Sequence, residues 1–268
     1  MSNGLLTLDY GNVTKKITNF ISSEVKSRKK KGVVIGLSGG IDSSVCTILA
    51  CRALGNKGIF GLSMPEKDVT PKTNLQNARS LAKKLKIKYK ELNIERGKRI
   101  LLNKSPRDKL AGGNFSARLR MALLYYYAAT NNLLVLGTAD KSELMIGYFT
   151  KFGDEGADIF PIGELYKSQV RLLGKELQIP EQILQQPSSP GFWKGQLAEK
   201  EIGLPYNEID RILESYLKKK LNRCEFGKRK IKLVTDMIRK NRHKKDVCHI
   251  LGSIPLIRVL PIAKCKLL

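Results

Sequence analysis

Apolar positions along this chain follow two rhythms. Short aliphatic runs, Gly32-Val33-Val34-Ile35, Gly58-Ile59-Phe60-Gly61-Leu62-Ser63 and Leu133-Leu134-Val135-Leu136-Gly137, read as buried strands, and Lys88 to Ile94 reads as a further strand by alternation. Between them, apolar residues recur at helical spacing. Val13, Ile17, Phe20, Ile21 and Val25 predict an amphipathic helix over 13–30, ending in the basic run Arg28–Lys31. Val45 to Ala50 predicts a second helix. Leu75, Ala78, Leu81, Ala82 and Leu85 form the buried face of a third, which Thr70 or Thr73 could cap. Gly112 to Ala129 continues as helix, and Ile209, Ile212, Leu213, Tyr216 and Leu217 point inward from one over 206–222. Strand and helix alternating in this way predict the α/β class: one parallel sheet with helices on both faces, read as a single domain over 1–268. Ligands of such sheets sit at the carboxyl ends of the strands.

The first strand runs directly into Gly36-Leu37-Ser38-Gly39-Gly40-Ile41-Asp42-Ser43-Ser44. Two adjacent glycines let the backbone turn tightly and approach a ligand. The free N–H groups of the following helix, with the positive end of its dipole, make an anion site suited to phosphate. Ser38, Ser43 and Ser44 add hydroxyls. Asp42 repels phosphate unless a divalent cation lies between them. A plain Gly-Gly turn capped by Asp42 and Ser43 is the bland alternative.

Composition narrows the picture. Hydrophobic residues make up 42% of 268, enough for a sizeable core. No apolar run is long enough to span a bilayer, and Met1 to Tyr10 lacks a basic flank before an apolar core, so a cytoplasmic protein is expected. Five cysteines without a Cys-x-x-Cys, and two histidines (His243 and His249), suggest neither a disulfide framework nor a zinc site. Lysine and arginine number 49 against 24 acids, a net charge of +25 that favours anionic partners. The excess is densest from Tyr216 to Cys248, with 13 basic and 3 acidic residues. A solvated, lysine-rich helical face is the bland reading of that stretch; a nucleic-acid surface is the alternative, but interleaved aromatics and an RNA-binding motif are missing from it.

Three further stretches carry chemistry. Arg118 and Arg120, two apart, cannot share a helical face, so one reads as structural or both as parts of an anion clamp. Tyr125-Tyr126-Tyr127 reads as a packing surface. The segment 137–169 mixes glycines, acids and lysines without periodicity and reads largely as loop, where sites are commonly built.

Ser38-Gly39-Gly40-Ile41-Asp42-Ser43 resembles the pyrophosphate-binding PP-loop of the N-type ATP pyrophosphatases, which split ATP between its α and β phosphates and pass AMP to an acceptor. Asn114-x-x-Ala-Arg-x-Arg, Gly137-Thr-x-x-Lys-Ser-Glu, Gly147-Tyr-Phe-Thr-Lys-x-Gly-Asp-x-Gly-Ala-Asp and Asn241-Arg-His-Lys together resemble the NAD synthetase family, from about Val33 to Lys245. The resemblance implies an adenine nucleotide alpha hydrolase-like, Rossmann-like fold and ATP-dependent amidation of nicotinic acid adenine dinucleotide (deamido-NAD) by ammonia, through an acyl-adenylate. It implies that Gly36, Leu37, Ser38, Gly39, Gly40, Ile41, Asp42 and Ser43 hold ATP phosphates, with Thr138, Lys167 and Ser189 also on ATP. Asp42 and Glu143 would hold Mg2+. Arg118, Lys151, Asp158, His243 and Lys244 would contact the dinucleotide. Catalysis would rest on Asp42, Glu143 and Lys167. A homodimer is implied too, with the helix from Asn114 onward at its interface, and no nucleic-acid or membrane partner is expected. Leu197-Ala198-Glu199 departs from the Thr-Asp-Glu of many members, and Ser189 replaces their threonine but keeps the hydroxyl. No glutamine-hydrolysing domain is expected on either side of the phosphate loop, which makes ammonia the direct donor. The rival readings are an RNA-modifying ATP pyrophosphatase and a basic, non-enzymatic nucleic-acid-binding protein.

Overall fold

The computed structural model describes residues 8–103 and 108–245. In chain order the elements are α1 (Tyr10–Ser27), β1 (Val33–Gly36), α2 (Ile41–Leu54), β2 (Ile59–Ser63), α3 (Lys72–Leu85), β3 (Lys88–Glu91), α4 (Glu95–Leu102), α5 (Lys109–Asn131), β4 (Leu134–Leu136), α6 (Lys141–Ile146), α7 (Lys167–Glu176), α8 (Glu181–Leu184), α9 (Ala198–Ile202), α10 (Tyr206–Leu217) and α11 (Lys228–Lys240). The four strands form one parallel sheet in the order β3-β2-β1-β4. Val33 is in register with Ile59 on one side and Leu134 on the other.

The continuous apolar character of β1 is explained by burial on both faces. Val33 and Ile35 pack against a core built from α1, α2, α3 and α7, with Ile21, Leu49, Ala78 and Leu173 at its centre. Val34, Phe60, Leu62 and Val135 point the other way, onto Leu123, Leu124 and Ala128 of α5. A separate cluster (Ile146, Tyr166, Ile202, Tyr206, Ile209, Ile212, Leu213 and Val234) joins α6, α9, α10 and α11. Helices thus cover both faces, as the alternating pattern predicts.

Several details differ from the sequence reading. The third strand stops at Glu91; Ile94 is already the cap position of α4. Neither threonine caps α3, whose N-cap is Pro71; the Thr70 hydroxyl instead accepts from the Glu66 backbone N–H. Phe20 stays exposed, because Ile17, Ile21 and Val25 form the buried seam of α1 and Phe20 falls at its margin. Tyr216 and Leu217 are exposed as well: α10 packs on α6, α7 and α11 through Tyr206 to Leu213, and its last turn reaches past them. Tyr127 meets Phe60 edge-on at 5.2 Å, whereas Tyr126 lies at the surface. The segment 137–169, read as loop, contains all of α6 and the start of α7. Cys46 is buried and Cys51 half-buried, both as free thiols, while Cys248, Cys265 and His249 lie outside the described residues.

Candidate active site

Helix α2 begins at Ile41, four residues earlier than its apolar pattern suggests, so the phosphate loop ends inside the first helical turn. Gly39 has φ +81°, and a Cβ there would lie 1.9 Å from the backbone oxygen of Asn74. Glycine is therefore required twice over, by the left-handed backbone and by the close approach of α3. The serines hold the turn together. Ser38 Oγ lies 3.0 Å from Ser43 Oγ and accepts from Gly40 N–H at 3.3 Å, while Ser44 Oγ donates to Gly40 O at 2.7 Å. The first amides of α2 have no partner within the helix and open toward a cavity of about 450 Å³.

That cavity lies at the carboxyl ends of β1, β2 and β4. Gly36, Leu37, Ser38, Gly40, Ile41, Asp42 and Ser43 line one side, with Thr138 and Glu143 beside them and the 186–198 segment, including Ser189, opposite. Gly39 is not part of the lining and packs against the Asn74 backbone. Lys167 is 0% exposed and stands behind the carboxylates rather than on the wall.

Its surroundings are the main feature of the site. Lys167 Nζ lies 2.8 Å from Asp42 Oδ2, 2.8 Å from Asp140 Oδ2 and 2.8 Å from Glu143 Oε1. The Tyr206 ring covers it at 5.3 Å. Burial alone would lower the ammonium's pKa, but Asp140, Asp42 and Glu143 outweigh it and hold Lys167 well above its usual value. Two of the carboxyls move up as well. Burial first, then the nearby Asp140 charge, pushes Glu143 up to about 8; burial, with Asp42 adding to it, pushes Asp140 up to about 6.

Three carboxylates face one ammonium, so the group is two charges short of balance when all are ionised. Asp42 Oδ1 is buried without a hydrogen-bond partner. Hard oxygen donors in cation deficit beside a phosphate loop fit Mg2+, which binds through one or two carboxylates and completes its shell with substrate phosphates. Among the described residues no cluster of three His, Cys, Asp or Glu is arranged to hold a metal alone.

Asp140 does not appear among the residues singled out from the sequence. It accepts from Glu143 N–H at 2.9 Å, and Glu143 Oε2 accepts from Asp140 N–H at 3.4 Å, forming a capping box on α6. Asp-x-x-Glu was a local signal for it. Tyr206 had no such signal.

The residues expected on the dinucleotide form a second group around the Gly147–Gly153 segment. Arg118 Nε and Nη2 donate to Lys151 O at 3.2 Å, and Lys151 Nζ donates to His243 O at 2.8 Å. Lys244 Nζ donates to Gly147 O at 2.7 Å and Phe149 O at 2.9 Å, and burial lowers its pKa. None of these four lines the phosphate-loop cavity; Tyr148, Gly153 and Ala157 of the intervening segment do. Asp158 is apart from both groups, with Oδ2 accepting from Val135 N–H at 2.7 Å. Arg120 also departs from Arg118: it lines the cavity and donates to Met64 O and Glu66 Oε1, so the pair divides between two environments.

A parallel sheet that delivers a serine-glycine phosphate loop to carboxylates and a lysine from later elements defines the PP-loop, Rossmann-like class of nucleotide-using fold. Within that class the chain belongs to the NAD synthase family, whose profile matches residues 13–248. It is 45% identical over 254 residues to the NH(3)-dependent NAD(+) synthetase of Hyperthermus butylicus, covering 91% of this chain and 92% of that one. Two solved structures resemble it closely. The NMN synthetase of Francisella tularensis is 34% identical with a TM-score of 0.83, covering 92% of this chain and 100% of that one. The NH3-dependent NAD synthetase of Campylobacter jejuni, solved with a nitrate ion, is 35% identical with a TM-score of 0.78, covering 91% and 100%.

Proposed function

We infer that this chain is an ammonia-dependent NAD synthetase, a ligase that converts deamido-NAD, ATP and ammonia into NAD, AMP and pyrophosphate. The observation that carries this reading is the meeting of Asp42 of the phosphate loop with Glu143 at the wall of one cavity, both held by the buried Lys167 behind them. A nicotinate carboxylate oxygen attacks the α phosphorus of ATP, and the bond from that phosphorus to the β-phosphate oxygen breaks. Ammonia then attacks the acyl carbon of the adenylate, AMP departs, and a proton leaves the nitrogen. The chain's contribution is orientation and charge neutralisation, without a covalent nucleophile. The loop amides and Ser38 and Ser43 bind the phosphates, Thr138 and Ser189 hold the nucleotide from the facing walls, and Lys167 holds Asp42 and Glu143 apart until positive charge arrives with the nucleotide. Mg2+, held by Asp42 and Glu143, would neutralise the departing pyrophosphate. Arg118, Lys151, Asp158, His243 and Lys244 are proposed to receive the dinucleotide around the Gly147–Gly153 segment.

The Francisella tularensis neighbour favours a second reading, amidation of the deamidated mononucleotide. Relatives 40% to 49% identical to this chain, all NH(3)-dependent NAD(+) synthetases, weigh toward the dinucleotide. The test supplies protein, ATP, Mg2+ and ammonium, without RNA, with either acceptor. NAD and AMP formed at a kcat/KM at least ~10-fold above that for the mononucleotide support the proposal; the reverse ratio assigns the chain to NMN synthesis. Turnover that needs RNA would revive the RNA-modifying reading, and RNA binding without turnover the non-enzymatic one. Ammonium-free glutamine in place of ammonium is expected to yield no NAD; glutamate formed in step with NAD would overturn the ammonia assignment. We also propose a homodimer that packs through α5, where Tyr126 is exposed, and a cytoplasmic location. No helix among the described residues is long and apolar enough to cross a membrane.

A further inference from the structure

Asp210 lies on α10, is 0% exposed, and touches neither the cavity nor Lys167 Nζ. Its carboxylate is nonetheless fully engaged. Oδ1 accepts from Ser142 Oγ at 2.5 Å, and Oδ2 accepts from Ser168 N–H at 2.8 Å and Ser168 Oγ at 2.6 Å. Ser142 Oγ in turn accepts from the Lys167 backbone N–H at 3.0 Å. Ser142 precedes Glu143 on α6, and Ser168 follows Lys167 on α7. One carboxylate therefore ties together the first turns of the two helices that carry Glu143 and Lys167.

The sequence of α7 explains why the tie matters. At its start Gln169 Oε1 accepts from the N-cap Tyr166 N–H at 2.9 Å, but the amides of Lys167 and Ser168 precede the first intrahelical bond and need partners from elsewhere. Ser142 satisfies the Lys167 amide and Asp210 the Ser168 amide, both from other helices. A buried carboxylate at that end also suits the helix dipole. Four residues before Asp210, on the same face of α10, Tyr206 lays its ring over Lys167 Nζ. Helix α10 thus meets the Lys167 head group through Tyr206 and the Lys167 backbone indirectly, through Ser142 and the adjoining Ser168.

We propose that Asp210 is a positioning residue: by clamping Ser142 and Ser168 it sets the separation of Glu143 from Lys167, and so the geometry with which Glu143 and Asp42 meet the metal–nucleotide. The proposal rests on the roles assigned above to Glu143 and Lys167. Partners one shell removed from a metal ligand typically change activity or metal affinity by about 10- to 100-fold when mutated.

Asp210→Asn keeps the shape but cannot accept at both oxygens. The expected result is a kcat lower by about 10- to 100-fold and a half-saturating Mg2+ concentration raised at least ~3-fold, with KM for deamido-NAD within about twofold of wild type. Ser142→Ala added to Asp210→Asn is expected to cost little further, because the two share one linkage. Ile209→Val, beside Asp210 in the α10 core, serves as the packing control: it should lower Tm by about 2–4 °C and leave kcat unchanged. Wild-type kcat and Mg2+ dependence in Asp210→Asn would overturn the proposal, as would a loss matched by Ile209→Val at equal Tm. If Asp210→Asn does not fold, Ser142→Ala and Ser168→Ala each remove one arm; lowered kcat in either supports the clamp, and wild-type values in both overturn it. Glu143→Gln and Lys167→Met separate the two levels of inference. Lost turnover in these with normal Asp210→Asn removes the clamp alone; normal turnover in these removes the site reading and the clamp with it.

Discussion

Lys167 Nζ and Asp42 Oδ2 lie 2.8 Å apart although 125 positions separate them in the chain. Asp42 belongs to the phosphate loop after β1, Lys167 to the first turn of α7, and Glu143 and Asp140 reach the same ammonium from α6 and its cap. One ammonium thus serves as the shared counter-charge of three carboxyl groups drawn from three parts of the chain.

Removing that ammonium leaves three crowded carboxyls with no counter-charge. Lys167→Met is expected to destabilise the fold by about 3–5 kcal/mol, the usual cost of breaking one side of a buried ion pair. Turnover should fall at least ~100-fold. Asp42→Asn, at the partly exposed, loop end of the pair, should lose turnover to a similar extent while keeping near-normal stability. Denaturant unfolding alongside steady-state rates measures both; equal stability losses in the two variants would contradict this assignment.

The raised pKa of Glu143 gives a pH dependence with a definite sign. Below about 8 the group is increasingly protonated, and a protonated carboxyl cannot ligate a metal. Metal and proton compete, so the half-saturating Mg2+ concentration should fall as pH rises from about 6.5 to 8.5, by at most tenfold per pH unit. Glu143→Gln should flatten this dependence. A Mg2+ requirement independent of pH in the wild-type protein would count against Glu143 as the ligand.

Gly113 of α5 faces Phe192 so closely that a Cβ would lie 2.2 Å from the ring. Phe192 lines the cavity from the segment opposite the phosphate loop. Gly113→Ala must displace it, and KM for ATP or deamido-NAD should rise roughly tenfold, the scale of one misfitted methyl group in a binding wall. Helix stability should not suffer, since alanine is the better helix former by about 0.8–1 kcal/mol. Unchanged KM for both substrates would show that this wall is not used in binding.

Gly39→Ala tests the loop itself. The left-handed backbone costs about 1–2 kcal/mol for a side chain, and the Asn74 backbone oxygen occupies the place of the Cβ. The loop has to move away from α3, and kcat/KM for ATP should fall at least ~100-fold. A titration of initial rate against ATP measures it, and a value within threefold of wild type would rule out the close Gly39–Asn74 packing.

The four strands, the parallel α/β arrangement and the phosphate loop were legible in the sequence because each rests on local chemistry. Val33 to Gly36 is a short continuous apolar run, and the loop's glycines, serines and aspartate fall within nine consecutive positions. Asp42 and Glu143 stood out through their motifs. Asp140 was equally local, as the first member of a capping box, but was hidden in a segment read as loop.

The tertiary structure alone decided what these groups do to one another. Nothing near Asp210 announces a clamp: it falls beside the apolar positions Ile209, Ile212 and Leu213 with no motif around it, yet its partners lie 68 and 42 positions earlier. Lys167 carried a familiar motif, but its enclosure by three carboxylates and Tyr206 appears only when α6, α7 and α10 pack onto the end of the sheet. Backbone conformation and burial periodicity are set by neighbours in sequence, so they can be read along the chain. Charge balance and pKa depend on distances of a few ångströms between residues far apart in sequence, and those distances exist only once the helices have docked.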